Sequence, residues 1–206
     1  MTTETKTRAS RGPYAQGLAA QKRILEEATE LFGRHGFRGT SLDAIAKASG
    51  ITKQGLLHHF PNKKRLLVAV LKYRDTLHLD DWPGPKTLVG TEILDHWDWV
   101  VERNLSLVGI VRLSHLLAAE SSSGDHPARE YFLEHFDNGR SMLVDSFTSG
   151  IKEGQLRKDI DPETIARQVI GVLEGLENQW LIDPDNVDIV KIFHDYTRQL
   201  RATITA

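Results

Sequence analysis

Apolar residues recur three and four positions apart along nearly the whole chain, the spacing that turns one face of an α-helix toward a core. Ile24, Leu25, Ala28, Leu31 and Phe32 form the first such stripe. They predict a helix over 18–35, ended by Gly36 and anchored at its exit by Phe37. From Thr40 to Phe60 the pattern shortens to TSLDAIAKASGITKQGLLHHF, which reads as two short helices and a tight turn. Thr40 with Asp43 suggests an N-terminal capping box. Leu42, Ile45 and Ala46 share a face, and Gly50 supplies the positive φ of a turn. Thr52 caps the second helix, which points Leu56 and Phe60 inward. This is the spacing of a helix-turn-helix.

Asn62 is placed to cap a fourth helix over 63–78. A Pro/Gly break follows in DDWPGPK, Asp80 to Lys86. Beyond it the stripes predict helices over 87–106, 107–120, 127–153, 162–182 and 187–203. Pro127 suits a first turn, and Asp161-Pro162 reads as a cap followed by proline at the first helical position. No strand alternation or repeat is visible, so the predicted class is all-α with about nine helices. A Thr, Ser, Gly and Pro-rich arm over 1–17 reads as disordered, with its Lys and Arg suited to a minor groove.

The length of 206 residues suits one or two domains with a substantial core. No run reaches the roughly 18 apolar residues of a membrane span. No signal peptide is visible, and a cytoplasmic address is expected. There is no cysteine, which excludes disulfides and thiolate chemistry. The net charge of −2 hides an asymmetry. Residues 1–75 carry 14 Lys and Arg against 6 Asp and Glu, or +8, while residues 76–206 carry 12 against 22, or −10. A basic front that coincides with the helix-turn-helix points to a polyanion there.

The second helix of the motif leaves Lys53, Gln54, Gly55, Leu57 and His58 facing outward. Lys pairs with guanine or phosphate, Gln pairs with adenine, and Gly permits close approach to a groove. The stretch from Ile24 to Leu71 resembles the TetR family of transcriptional regulators. Phe32, Gly36 and Phe37, then Thr40-Ser41, Ile45-Ala46, Gly50, His59-Phe60, Lys63 and Leu66 follow the family's signature in order. The resemblance implies a DNA-binding domain over 18–62 and a ligand-binding and dimerisation domain over 63–206. It implies a homodimer on a palindromic operator, acting as a ligand-responsive repressor. Thr40, Ser41, Thr52, Lys53, Gln54, Gly55, Leu57, His58 and Lys63 are the DNA-contacting candidates. Leu57 stands where the family usually has a phosphate-binding Tyr, and His58 is the candidate to take over that contact. A helical bundle for ligand or protein binding, with a vestigial helix-turn-helix, is the competing class.

The resemblance further implies dimerisation through the last two helices, 162–182 and 187–203, where Gly171 and Gly175 would permit close approach. A pocket for an unidentified small effector is expected inside the back bundle, with Trp97, His115, Phe132, Phe136 and Trp180 as candidate lining. Arg103, Arg112 and Glu177 are candidate polar groups. No Walker, Rossmann or Gly-x-Ser-x-Gly motif is present, so no enzyme and no cofactor is expected. The nine His form no His-x-x-x-His, and no metal is expected.

Overall fold

The computed structural model describes residues 13–80, 82–122 and 125–206. The expected arm over 1–17 therefore lies outside the described residues up to position 12. From Pro13 the chain is already helical. Helix α1 spans Pro13–Gly39 with a break at Gly36 (φ 70°, ψ 171°), where the sequence pattern also ends the helix. Helices α2 (Leu42–Ala48) and α3 (Lys53–His59) flank a turn at Gly50 (φ 66°). Then come α4 (Lys63–Asp80), α5 (Glu92–Asn104) and α6 (Val108–Glu120), the last two joined by a 3-10 turn. Helices α7 (Arg129–Lys152), α8 (Pro162–Ile182) and α9 (Ile189–Ile204) complete the chain.

Several boundaries differ from the sequence reading, each for a local reason. Thr40 is not the cap of α2. Its side chain is buried, and its hydroxyl donates to the Leu31 and Gly36 carbonyls at 3.0 and 2.9 Å. Its single proton is thus shared between two carbonyls that flank the last turn before the break in α1. Ser41 caps instead, accepting from the Ala44 amide at 3.1 Å. The helix expected from 87 starts only at Glu92. Residues before it are pinned to α7: the Gly90 amide donates to the Ser146 carbonyl at 2.9 Å, and the Ser146 hydroxyl donates back at 3.1 Å. Gly90 sits at φ 62°, which a helix cannot use. Pro127 lies in a turn before α7, in which the Arg129 amide donates to the His126 carbonyl. Asp188 caps α9 by accepting from the Lys191 amide, which delays its start by two residues.

Two buried clusters hold these helices. The front cluster joins Ile24, Ala28 and Phe32 of α1 to Ile45, Leu56, Leu66, Leu67 and Val70. It continues through Ile110, Leu113 and Leu117 of α6 and Tyr131 and Phe132 of α7. The back cluster joins Ile93 and Val101 of α5, Leu143 and Phe147 of α7, Val169, Leu173 and Trp180 of α8, and Phe193 of α9. Each large apolar side chain so buried contributes about 1.5–3 kcal/mol. Gly33 of α1 crosses Gly109 of α6 backbone to backbone, where a Cβ on Gly33 would meet the Gly109 carbonyl oxygen at 2.7 Å. No described helix is long and apolar enough to cross a membrane.

Candidate nucleic-acid interface and ligand cavity

Helix α3 is short, so its position depends on its ends and on one buried contact. Thr52 accepts from the Gly55 amide through its side chain at 3.0 Å. A Cβ at Gly55 would lie 3.3 Å from that hydroxyl oxygen, so glycine keeps the cap close. Leu56 is fully buried and Phe60 nearly so, which fixes the rotation of the helix. The opposite side presents Thr52, Lys53, Gln54 and His58 to solvent, with Gly55 and Leu57 partly covered. Lys53 pairs with Asp43 of α2 at 2.8 Å, both side chains more than half exposed. Such a pair contributes at most about 1 kcal/mol and gives way readily to a phosphate or a base.

At the start of α4, Asn62 accepts from the Arg65 amide at 2.9 Å. The first N–H groups of a helix have no intrahelical acceptor and can serve an anion. Lys64 and Arg65 are exposed beside them. Lys63 has a second role: its ammonium reaches the Arg38 carbonyl at 3.4 Å and lies 4.6 Å from the centre of the Phe37 ring. Partial burial lowers its pKa. Ser41 is exposed at the start of α2. Thr40 differs from the other candidates, because its hydroxyl faces the end of α1.

The second site is a cavity of about 150 Å³ between α4, α5, α7 and α8. Its wall follows helical spacing: Trp97, Val100 and Asn104 on α5, Phe136, Gly139 and Met142 on α7, and Ile170, Leu173, Glu174 and Glu177 on α8. Arg74 and Asp75 enter from α4. Glu177 accepts from the Asn104 amide at 2.6 Å and from His115 Nε2 at 2.7 Å. The other ring nitrogen of His115 faces Glu174 at 3.6 Å. Arg74 donates to the Ser114 hydroxyl. Asp75 accepts from Tyr131 at 2.9 Å and pairs with His135 at 3.3 Å. Burial opposes the Asp75 charge, but His135, Arg74 and Tyr131 together lower its pKa. Burial alone lowers His96.

Burial lowers His115 as well, but the hydrogen bond to Glu177 and the charges of Glu174 and Glu177 outweigh it, and its pKa is raised. A histidine raised on folding stabilises fully below its unfolded value, near pH 6.5, and loses that contribution as pH rises through the folded value. His115→Asn is therefore expected to lower the melting temperature more at about pH 6 than at about pH 9. An equal loss at both pH values would show that the ring carries no proton-linked stability.

The family model described as "Bacterial regulatory proteins, tetR family" matches residues 24–70, and "Tetracyclin repressor-like, C-terminal domain" matches residues 114–189. Together they take in more than half of the chain. The chain belongs to the TetR family of transcriptional regulators. This TetR-family chain is 28% identical over 186 residues to the HTH-type transcriptional regulator AcrR of Shigella flexneri, covering 85% of each. It is 42% identical over 75 residues to RutR of Escherichia coli strain K12, covering 36% of this chain and 34% of that one. A TetR transcriptional regulator from Chloroflexus aurantiacus has the same fold, with a TM-score of 0.74 at 22% identity over 93% of this chain and 98% of that chain.

Of the expected pocket residues in this TetR-family chain, Trp97 and Phe136 are in the cavity wall. His115 stands behind it, joined to Glu177. Phe132 and Trp180 are placed elsewhere, in the front and back cores respectively. Glu177 lines the cavity, whereas Arg103 turns to Ser106 and Arg112 is exposed. Arg74, Asp75, His96, Asn104, His135 and Glu174 also line it and were missed by the sequence reading. The usable signal was a polar residue inside an apolar stripe. Asn104 sits seven residues after Trp97, and Glu174 three before Glu177. His115, Glu174 and Glu177 also bring ligand-type atoms within 4.8 Å of one another, a grouping that the His-x-x-x-His criterion does not detect.

Proposed function

We propose that two copies pair through α8 and α9, lay the two α3 helices in successive major grooves of a palindromic operator, and release it when the cavity fills. The observation that carries this reading is the outward face of α3, where Lys53, Gln54 and His58 stand exposed around a capped helix start. Lys53, Gln54 and Gly55 meet base edges. Ser41, Thr52, His58 and Lys63 hold phosphates, and Thr40 supports them from beneath by fixing the end of α1. The α8 face offers room for a second copy: a Cβ at Gly171 or Gly175 would meet nothing within 4 Å, and Ile182 is 84% exposed.

Helix α4 links the two sites in this reading. Lys63 lies at its start and Arg74 eleven residues on, roughly 16 Å along the axis at 1.5 Å per residue. A rigid helix moved at Arg74 moves at Lys63. Effector binding then favours one spacing of the two α3 helices over the other, provided that it binds the two states unequally.

Selection of duplexes from a random pool by the purified protein tests this directly. The expected product is a palindrome with half-sites about 34 Å, or a multiple of it, apart. Folded dimer that enriches nothing at low salt would overturn the reading and favour a vestigial motif. Gln54→Ala is expected to lose about 1–3 kcal/mol of preference at one or two base positions. Lys63→Ala is expected to weaken all sequences alike and to reduce the salt slope by about 1.

A further inference from the structure

Buried polar atoms without a partner are few in folded proteins, and each calls for a reason. Among the described residues, four lie on residues that line this cavity: Arg74 Nε, His96 Nδ1, Trp97 Nε1 and Asn104 Oδ1. Arg74, His96 and Asn104 are only 7%, 6% and 2% exposed. The Arg and Trp atoms are donors by their chemistry. Asn104 already donates its amide to Glu177, so its oxygen is left needing a donor. The cavity thus asks for both kinds of hydrogen-bonding group.

Charge narrows the choice. Asp75, Glu174 and Glu177 bring three carboxylates to the wall, against the guanidinium of Arg74, the imidazoles of His96 and His135, and that of His115 behind. Asp75 is held by Tyr131 and His135, and Glu177 by Asn104 and His115. Glu174 has only the more distant 3.6 Å approach of His115. Burial holds its carboxyl above the usual range, so an arriving positive charge gains more there than at a hydrated surface. His115, Glu174 and Glu177 also converge closely enough to hold a metal ion, so a divalent cation is the competing occupant that the zinc arm of the test addresses.

We infer that the cavity takes a small protonated amine that also carries an oxygen acceptor. Its ammonium group lies against Glu174 and the Asn104 oxygen, and its oxygen faces the Trp97 and Arg74 donors. Val100, Met142, Ile170 and Leu173 give the wall an apolar part that suits a compact hydrocarbon or aromatic body. A cavity of about 150 Å³ is the size that accepts benzene, which sets the scale of the ligand's ring, with its polar arms reaching the charged and polar wall. This inference rests on the reading of the cavity as the effector site, and it names the class of effector.

Tyramine is a suitable probe, with 4-hydroxyphenylacetate as the same ring and phenol bearing the opposite charge. Calorimetry on the whole protein without DNA is expected to show tyramine binding at least about tenfold tighter than the anion. Glu174→Gln is expected to remove about tenfold to a hundredfold of that affinity, the scale of a hydrogen bond to a charged group. Choline, a cation without an N–H, is expected to bind more weakly than tyramine. Equal binding of tyramine and the anion, or no binding of tyramine at millimolar concentration, would overturn the inference. So would choline matching tyramine, or zinc ion stabilising the protein in a way that Glu174→Gln abolishes. If Glu174→Gln does not fold, the ratio of the two probes on the unaltered protein still decides. Tyramine binding by a protein that selects no DNA would overturn the regulatory reading alone. Operator selection without amine binding would overturn only the ligand class.

Discussion

Glu177→Leu is expected to lower the stability of the folded protein by about 3–5 kcal/mol, the range for breaking a buried charge pair from one side. Glu177 is almost wholly buried and accepts from Asn104 and His115 with different oxygens. Leucine fills a similar volume but leaves an amide N–H and an imidazole N–H without acceptors in a site that water reaches poorly. Glu177→Gln keeps one acceptor oxygen and is expected to cost less. Urea unfolding at one fixed protein concentration measures both, since any self-association would make apparent stability depend on concentration. A loss below about 1 kcal/mol for the leucine variant would mean that this cluster is hydrated rather than buried.

Gly33→Val is the second change expected to act strongly, at about 3 kcal/mol, the upper end of the usual overpacking cost. The Cβ of any residue at 33 would fall 2.7 Å from the Gly109 carbonyl oxygen and 2.9 Å from the Gly109 Cα. The obstacle is backbone, so α1 and α6 must separate. The converse change is different. A Cβ on Gly109 meets the Gly33 Cα at 3.8 Å, an ordinary contact. Gly109→Ala is therefore expected to be neutral or to gain up to about 1 kcal/mol from helix propensity. Thermal melts of the two variants side by side check the asymmetry. Similar losses in both would show that the crossing is looser than its geometry.

The helix-turn-helix was legible in the sequence because it depends on neighbours in the chain. Gly50, Thr52, Leu56 and Phe60 have roles set within a few residues, and the structure places each where its spacing suggested. The one-residue slip from Thr40 to Ser41 at the α2 cap shows the limit of local reading. Both side chains can cap, and the choice was made by carbonyls of α1 that lie nine and four residues back. The cavity was less legible for the same reason. Four helices meet there, and the pattern of one helix cannot say which of its inward residues meets a gap and which meets a packed neighbour. Trp97 and Trp180 looked alike in sequence, yet one lines the cavity and the other belongs to the back core. Asn104 and Glu174 are polar residues in otherwise apolar stripes, and only their partners on other helices give them a common role.

The front cluster does not stop at the end of α4. Ile110, Leu113 and Tyr131 complete it from α6 and α7. A chimera that transplants residues 18–62 onto another regulator would therefore leave this apolar surface without its own counterpart on both sides of the splice. If α3 reads the operator as proposed, a graft that exchanges preference must be confined to the outward side chains of α3 or must carry the matching surface of α6 with it. On that proposal operator preference is portable as a set of surface residues rather than as a detachable module.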